Sequence, residues 1–160
     1  MNHFGTDGIR GNASEFTKDY LVSIAKAIIK TKKGASIVIG RDTRESGLKM
    51  EMHLTEALLD YGAKVTVLGI LPSPGVAFLT RKLGANYGVV LSASHNPPEY
   101  NGVKLFNSLG EKLSDSEERL IDSYIDENEP MQKCMAETAL YHYGVDEYLD
   151  ILHSAINFES

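Results

Sequence analysis

Short β-branched runs alternate along the first half of the chain with longer stretches in which apolar residues recur every three or four positions. Apolar residues at that spacing lie on one face of a helix, so each longer stretch predicts an amphipathic helix. The predicted helices span roughly 17–34, 46–61 and 73–83, and the predicted strands begin near 36, 64 and 87. One helix between successive strands predicts right-handed crossovers, and hence a single three-layer α/β/α domain around a mainly parallel mixed sheet.

Residues with strong boundary preferences mark the ends of these helices. Ser73 is expected to cap the third helix, with Pro74 at its first helical position. Ser114-Asp-Ser-Glu117 is a capping-box sequence, and the apolar residues that follow it predict a fourth helix. We expect this helix to cover one face of the sheet.

The segment from Gly88 to Phe106 joins a buried strand to a polar loop. The apolar run ends at Leu91, and Ser94 follows just past the strand, where ligands bind in open α/β sheets. Asn101-Gly102 is suited to positive φ, so we expect the chain to turn there and return as a strand. Alternation along this return places Lys104 and Phe106 on one face. The pattern predicts that Ser94 and Lys104 face one small space.

Loops at the carboxyl ends of parallel strands lie at one edge of the sheet, so the two preceding loops should meet the Ser94 loop. The first of them carries Arg41 and Arg44 between a strand and a helix, which suits bidentate phosphate contacts and an anion at the helix N-terminus. Internal pairing of these arginines with Asp42 and Glu45 explains the same pattern. The segment alone favours neither interpretation.

The chain opens with the glycine-rich segment Phe4-Gly-Thr-Asp-Gly-Ile-Arg-Gly11. Its glycines allow the backbone to approach an anion closely, and Arg10 supplies a positive charge. The spacing G-x-x-G-x-x-G is not a dinucleotide fingerprint. Alone, the segment is more typical of an ordinary turn, so a functional role depends on Arg10 joining the predicted loops.

Composition excludes several classes of protein. A net charge of -6 without a basic stretch argues against nucleic-acid binding. Cys134 is the sole cysteine, which excludes a disulfide framework and a thiolate zinc site. No basic flank precedes an apolar N-terminal core, and no apolar run approaches membrane-spanning length. We therefore expect a cytoplasmic protein with no membrane partner.

The residue types around Ser94 favour phosphoryl chemistry. His95 is its neighbour, but adjacent side chains on extended backbone diverge, which disfavours direct deprotonation of Ser94 by His95. A hydrolase elbow would need glycine where the chain has Ser92 and Asn96. The side chains expected to converge are cations, which suit phosphoryl groups better than acyl groups. These cations are Arg10, Arg41, Arg44 and Lys104.

Three spaced motifs resemble those of one known family. They are Phe4-Gly-Thr-Asp-Gly-Ile-Arg-Gly11, Gly40-Arg-Asp-Thr-Arg44, and Ser92-Ala-Ser-His-Asn-Pro97 with Asn101-Gly-Val-Lys104. In this order they resemble the N-terminal domain of the α-D-phosphohexomutases, over residues 1 to about 155. Several motifs in the right order are far more specific than any one of them.

The resemblance implies that Ser94 is phosphorylated in the active enzyme and passes its phosphoryl group to a phosphosugar substrate through a bisphosphate intermediate. It also implies Mg²⁺ as the cofactor, bound in part by an oxygen of the Ser94 phosphate. Arg10 and Lys104 match family residues near the phosphoserine, with Lys104 expected to transfer the sugar hydroxyl proton. His95 is expected to give hydrogen-bonding support. The further phosphate- or substrate-binding candidates are Arg41, Arg44, Asn96 and Asn101.

The compact domain is expected to span residues 1–135. A helix predicted over Val145 to Ile156 has little left to pack on, so 136–160 is interpreted as a connector to a missing second domain. The family's acidic metal loop, sugar-specificity loop and C-terminal phosphate-binding domain are not in this sequence. We therefore expect the 160 residues to fold without interconverting sugar phosphates. The choice of hexose stays open, as does a free-standing, non-catalytic phosphate-binding module.

Overall fold

The computed structural model describes residues 3–134 and the backbone of a strand at 140–142. Within these ranges the helices are α1 (Lys18–Thr31), α2 (Glu45–Asp60), α3 (Ser73–Lys82) and α4 (Asp115–Glu127). The strands are β1 (Phe4–Gly5), β2 (Gly8–Asn12), β3 (Ser36–Arg41), β4 (Lys64–Ile70), β5 (Tyr87–Leu91), β6 (Tyr100–Phe106) and β7 (Leu140–His142). Every helix and strand predicted within the described ranges is present.

The described strands form one sheet in the order β1-β2-β6-β5-β3-β4-β7. β3 pairs in parallel with both β4 and β5, and β4 pairs in parallel with β7. β6 runs antiparallel to β5 and to β2, and β1 and β2 form an antiparallel hairpin. The three-layer α/β/α fold is confirmed, with a sheet that is more evenly mixed than predicted.

The two faces of the sheet are covered unequally. On one face, the helix-rich side, α1, α2 and α4 bury strand residues such as Ile37. On the other, the α3 side, α3 packs against strand residues such as Val38. Alternation along each strand separates the two cores. Lys104 lies on the α3 side with Phe106, its ammonium 5.3 Å from the ring centroid, as the alternation predicted.

Helix boundaries follow the predicted signals with one exception. The capping box at Ser114 and Glu117 is formed, because each side chain bonds the backbone N–H of the other residue. The third helix begins at Ser73 itself, with Pro72 as its N-cap, so the prediction that Ser73 caps it was wrong by one residue. Pro72 takes the extended conformation of a cap, and its carbonyl accepts from the N–H groups of Gly75 and Val76.

The glycine-rich opening segment forms a hairpin that the sequence pattern did not predict. β2 adds to the edge of β6, with Arg10 opposite Gly102 in the register. Glycine is needed at 102, because a Cβ there would lie 2.7 Å from the Ser92 carbonyl oxygen and 2.8 Å from that of Ile9. The predicted turn at Asn101-Gly102 was therefore wrong, since both residues lie inside β6.

The chain instead turns before β6, between residues 93 and 100. The N–H of Asn96 donates to the Ala93 carbonyl at 3.1 Å, and that of Tyr100 donates to the Pro97 carbonyl at 3.0 Å. The predicted connector helix lies outside the described residues. In the part of the chain that the structure describes, no helix is long and apolar enough to span a membrane.

Candidate functional site

A cleft of about 280 Å³ opens at the carboxyl ends of the parallel strands, where the sequence predicted that three loops meet. Residues on β2, β5 and β6 and in the loops after β3, β4 and β5 line it. The lining residues are Asp7, Arg10, Asp42, Leu71, Pro72, Ser73, Val90, Ser92, Ser94, His95 and Lys104. Four predicted site residues therefore share one cleft: Arg10, Ser94, His95 and Lys104.

Ser94 lies exposed at the mouth of this cleft, three residues after β5 ends. Its φ of 55° is in the left-handed region, which costs a residue other than glycine about 1 to 3 kcal/mol. Its N–H donates to the Ser92 hydroxyl at 3.0 Å, and the Ala93 side chain between them is buried. The surrounding structure thus holds Ser94 in a conformation that it would not favour alone.

Arg10 and Lys104 reach the cleft from neighbouring antiparallel strands. β2 carries Arg10, β6 carries Lys104, and the pairing of these strands sets their separation. The Arg10 guanidinium lies 3.8 Å from the Asp7 carboxylate, within the same hairpin. Because the hairpin places Arg10 beside β6, the opening segment is part of the site and not an isolated turn.

Arg41 and Arg44 are engaged with protein groups. The Arg41 side chain donates to the Glu51 carboxylate on α2 at 3.2 Å, and both side chains are largely buried, at 16% and 10% exposure. Arg44 donates to the Asp42 carboxylate at 2.9 Å and to carbonyls of the Ser94 loop. These contacts are of the internal kind that the sequence left open, although Arg41 pairs with Glu51 instead of a carboxylate in its own loop.

The two predicted asparagines differ in their surroundings. Asn101 is fully buried, where its side-chain amide donates to the Ser46 hydroxyl at 2.8 Å and its side-chain oxygen accepts from the Gly102 N–H at 2.8 Å. Asn96 is exposed in the loop, and its carbonyl accepts from Arg44. Asn101 therefore ties β6 to the start of α2.

The cleft also contains two carboxylates that were not among the predicted site residues, Asp7 and Asp42. Asp7 lies in the opening motif beside Arg10, so its sequence position was a usable signal. Asp42 is one of the two carboxylates that the sequence offers as partners for the loop arginines, and it does bond Arg44. Among the described residues, no cluster of three or more His, Cys, Asp or Glu side chains is arranged to hold a metal ion.

The comparisons with known proteins agree with this fold. The family described as "Phosphoglucomutase/phosphomannomutase, alpha/beta/alpha domain I" matches residues 1–132. The phosphoglucosamine mutase of Clostridioides difficile (strain 630) is 41% identical over 165 residues, covering 97% of this chain and 37% of that protein. The phosphoglucosamine mutase of Alkaliphilus metalliredigens is 48% identical over 134 residues, covering 81% of this chain and 30% of that protein.

A solved structure extends the likeness to three dimensions. The crystal structure of a phosphoglucomutase/phosphomannomutase family protein from Burkholderia thailandensis superposes with a TM-score of 0.75 at 25% identity. The match covers 93% of this chain and 34% of that one. The chain belongs to the phosphoglucomutase/phosphomannomutase family and contains its first α/β/α domain. It spans about a third of the length of the curated relatives it matches.

Proposed function

We propose that this chain is the first domain of a phosphosugar mutase in which Ser94 carries the phosphoryl group. The main support is that Ser94 shares one cleft with Arg10 and Lys104. A phosphoserine bears about -1.5 to -2 charges at neutral pH and needs cations around it. Arg10 and Lys104, on adjacent strands, can supply them.

The proposed reaction moves one phosphoryl group between Ser94 and a sugar hydroxyl. The hydroxyl oxygen attacks the phosphorus of phosphoserine as the bond from phosphorus to the Ser94 Oγ breaks. The hydroxyl proton ends on the Ser94 Oγ, and on this proposal Lys104 carries it. The sugar bisphosphate then turns round and returns its other phosphoryl group to Ser94. Arg10 holds the charge that the transferred group spreads over its oxygens, and His95, which lines the same cleft, gives hydrogen-bonding support.

The oxygen-rich lining of the cleft suits the Mg²⁺ on which this family generally depends. The side chains of Ser94 and Asp7 line it, and hard oxygen ligands are those that Mg²⁺ prefers, whereas both carboxylate oxygens of Asp42 accept from Arg44. A phosphate oxygen on Ser94 would hold the ion, and further ligands would come from another domain. When bound, Mg²⁺ neutralises the charge that develops on the transferred phosphoryl group.

The proposed substrate is glucosamine 6-phosphate, converted to glucosamine 1-phosphate. This choice is supported by the phosphoglucosamine mutases at 41% and 48% identity. Phosphomannomutase or phosphoglucomutase activity is the second candidate, which the structural likeness to a phosphoglucomutase/phosphomannomutase family protein supports. The two are distinguished by the values of kcat/KM for glucosamine, mannose and glucose phosphates. These are measured in the longer protein, meaning the complete mutase of which this chain is proposed to be the first domain.

We also propose that residues 1–135 form the compact domain and that 136–160 lead toward further domains, which complete the mutase. On this proposal the 160-residue chain alone turns over no phosphosugar. A non-catalytic phosphate-binding module is the alternative, and a longer protein that still shows no turnover would favour it.

Phosphorylation of Ser94 tests the proposal directly. The longer protein is incubated with glucosamine 1,6-bisphosphate and Mg²⁺, and its intact mass is recorded. We expect one added phosphate, which is lost in Ser94→Ala and retained in Ser108→Ala, an exposed serine after β6. Mutase activity without phosphate on Ser94 would overturn the proposed role.

A further inference from the structure

The backbone from Ser94 to Tyr100 is wrapped around the guanidinium of Arg44. Arg44 is the N-cap residue of α2 and lies fifty residues before Ser94 in the chain. Its NH2 group donates to the carbonyls of Ser94 at 2.8 Å and Asn96 at 2.9 Å. Its NH1 group donates to the carbonyls of Pro97 at 2.6 Å and Tyr100 at 3.1 Å. One side chain therefore bonds the backbone at four positions between Ser94 and Tyr100.

The hydrogen-bonding capacity of Arg44 is completely used. A guanidinium has five N–H donors, and the fifth, on Nε, donates to the Asp42 carboxylate at 2.9 Å. The side chain is only 9% exposed. A phosphate could bind Arg44 only if one of these acceptors were released. Arg10 and Lys104, which line the cleft, are the better placed cations for that purpose.

Asp42 fixes the Arg44 side chain that bonds these four carbonyls. Its second carboxylate oxygen accepts from the Arg44 backbone N–H at 3.1 Å, and its own N–H donates to the Leu91 carbonyl at the end of β5 at 3.1 Å. The loop before α2 therefore holds both the end of β5 and the residues that follow it. Between these attachments lies Ser94, with its positive φ.

From this geometry we propose that Arg44 is a positioning residue that fixes the Ser94 hydroxyl for phosphoryl transfer. The proposal rests on the proposed role of Ser94 as phosphoryl carrier. Arg44 acts through the backbone, since it bonds the carbonyl of Ser94 itself and does not line the cleft. Reacting groups must be placed closely, and a displacement of about 1 Å can cost roughly 10²-fold in rate.

Arg44→Lys separates positioning from charge. Lysine keeps the positive charge but has three donors on one atom, so it cannot span four carbonyls and a carboxylate. In the longer protein, we expect glucosamine 1,6-bisphosphate to phosphorylate Ser94 roughly 10- to 100-fold more slowly. The KM for the phosphosugar should change by less than about threefold, because the cations that line the cleft are untouched. A direct phosphate contact would instead give a raised KM and a largely retained kcat.

The matched control is Arg81→Lys, the same substitution at an exposed position in the last turn of α3. It should leave both the rate and the KM as in the parent protein. A parent-like phosphorylation rate in Arg44→Lys, measured beside this control, overturns the proposal.

Hydrogen exchange in the 160-residue chain tests, independently of any activity, whether Arg44 holds the backbone between Ser94 and Tyr100. The amides of Asn96 and Tyr100 are bonded within the loop, and we expect both to exchange at least tenfold faster in Arg44→Lys. Thermal unfolding shows whether the variant is folded, and Arg44→Gln serves as a second variant if it is not. Unchanged exchange of the Asn96 and Tyr100 amides in Arg44→Lys would show that Arg44 does not hold this backbone. Absence of phosphate on Ser94 in the parent protein refutes the proposed function, while the exchange result still decides the role of Arg44.

Discussion

The two sides of the sheet divide the work of the molecule between them. Three described helices bury the helix-rich side, whereas α3 is the only described helix on the other. The cleft opens where the cover of α3 ends, so Val90 belongs both to the α3 core and to the cleft lining. Lys104 projects on this same side. The comparison teaches that thick packing provides stability while the thinly covered side leaves room for a ligand.

The largest effect is expected in the thickly packed core. Leu54 on α2 is fully buried, and Leu54→Ala should lower the free energy of unfolding by about 2 to 5 kcal/mol. Leu48 is on the same helix but 50% exposed, so Leu48→Ala should change it by less than about 0.5 kcal/mol. Chemical denaturation of the 160-residue chain measures both. Equal losses at the two positions would contradict the proposed division of work.

A substitution in the cleft should lower the rate of phosphorylation and leave the stability unchanged. Lys104→Met keeps most of the length of the side chain but removes its charge, and we expect roughly 10²-fold slower phosphorylation of Ser94 in the longer protein. Its free energy of unfolding should stay within about 0.5 kcal/mol of the parent value. A large loss of stability with a parent-like rate would place Lys104 among the structural residues.

A substitution at Gly102, where β6 closely approaches its neighbours, should lower the stability of the sheet. A Cβ at position 102 would approach the carbonyl oxygens of Ser92, just after β5, and of Ile9, on β2, so Gly102→Ala must move β6 away from both neighbours. We expect a loss of about 1 to 3 kcal/mol in unfolding free energy. Gly34→Ala is the control, since both substitutions add one methyl group and a Cβ at 34 meets nothing within 4 Å. Its positive φ leaves only a backbone cost of about 1 kcal/mol.

Loss of the α4 cap is expected to be a smaller effect. Ser114→Ala removes the acceptor for the Glu117 N–H and should cost about 1 kcal/mol. Ser123→Ala, on the same helix, removes only a bond to the Leu120 carbonyl and should cost less. Thermal or chemical denaturation compares the two variants. A larger loss at Ser123 would show that the capping box does not stabilise α4.

The smallest effect concerns a buried carboxyl on the helix-rich side. Burial raises the pKa of Glu118, the nearby carboxylates of Asp115 and Asp122 raise it further, and the Lys112 ammonium acts in the opposite direction. A raised pKa means that the folded state holds the proton more tightly than the unfolded state. The contribution of Glu118 to the free energy of unfolding is therefore greatest at acid pH, and it is lost as the pH rises through the raised pKa.

Glu118→Gln should remove that dependence. Between acid and neutral pH the unfolding free energy of the variant should fall less than that of the parent, by a difference smaller than the loss at Ser114. Glu56→Gln, at an exposed position of α2, should follow the parent curve. Parallel curves for all three proteins would show that burial of Glu118 has no consequence for stability.

Much of the fold could be predicted because its local signals agree. β3, β5 and their neighbouring helices combine β-branched runs, amphipathic spacing and standard caps, and these signals depend only on nearby residues. The hairpin of β1 and β2 could not be predicted in that way. Gly8-Ile-Arg-Gly-Asn12 has weak strand propensity, and it becomes a strand because β6 offers an unpaired edge.

The site could be predicted only where topology decides it. Ser94 follows the carboxyl end of β5, and Lys104 lies on β6, the strand paired with β5, so their place in one cleft followed from the topology. The contacts of Arg44 could not be predicted, because two arginines beside two carboxylates suit a phosphate as well as an internal network. Asn101-Gly102 has ideal turn residues, yet a close approach between strands explains its glycine.

The pairing of β2 with β6 also sets an order of events during synthesis. Ile9 pairs with Val103, and at about 5 to 20 residues per second the ribosome needs roughly 5 to 20 s to add the intervening residues. β2 must therefore wait for its partner β6 while β3, α2 and β5 can already assemble. Such distant pairing is slow to form. Arg10 therefore takes its place late, after β3, α2 and β5 can have assembled, so the cleft is completed later than the core beside it.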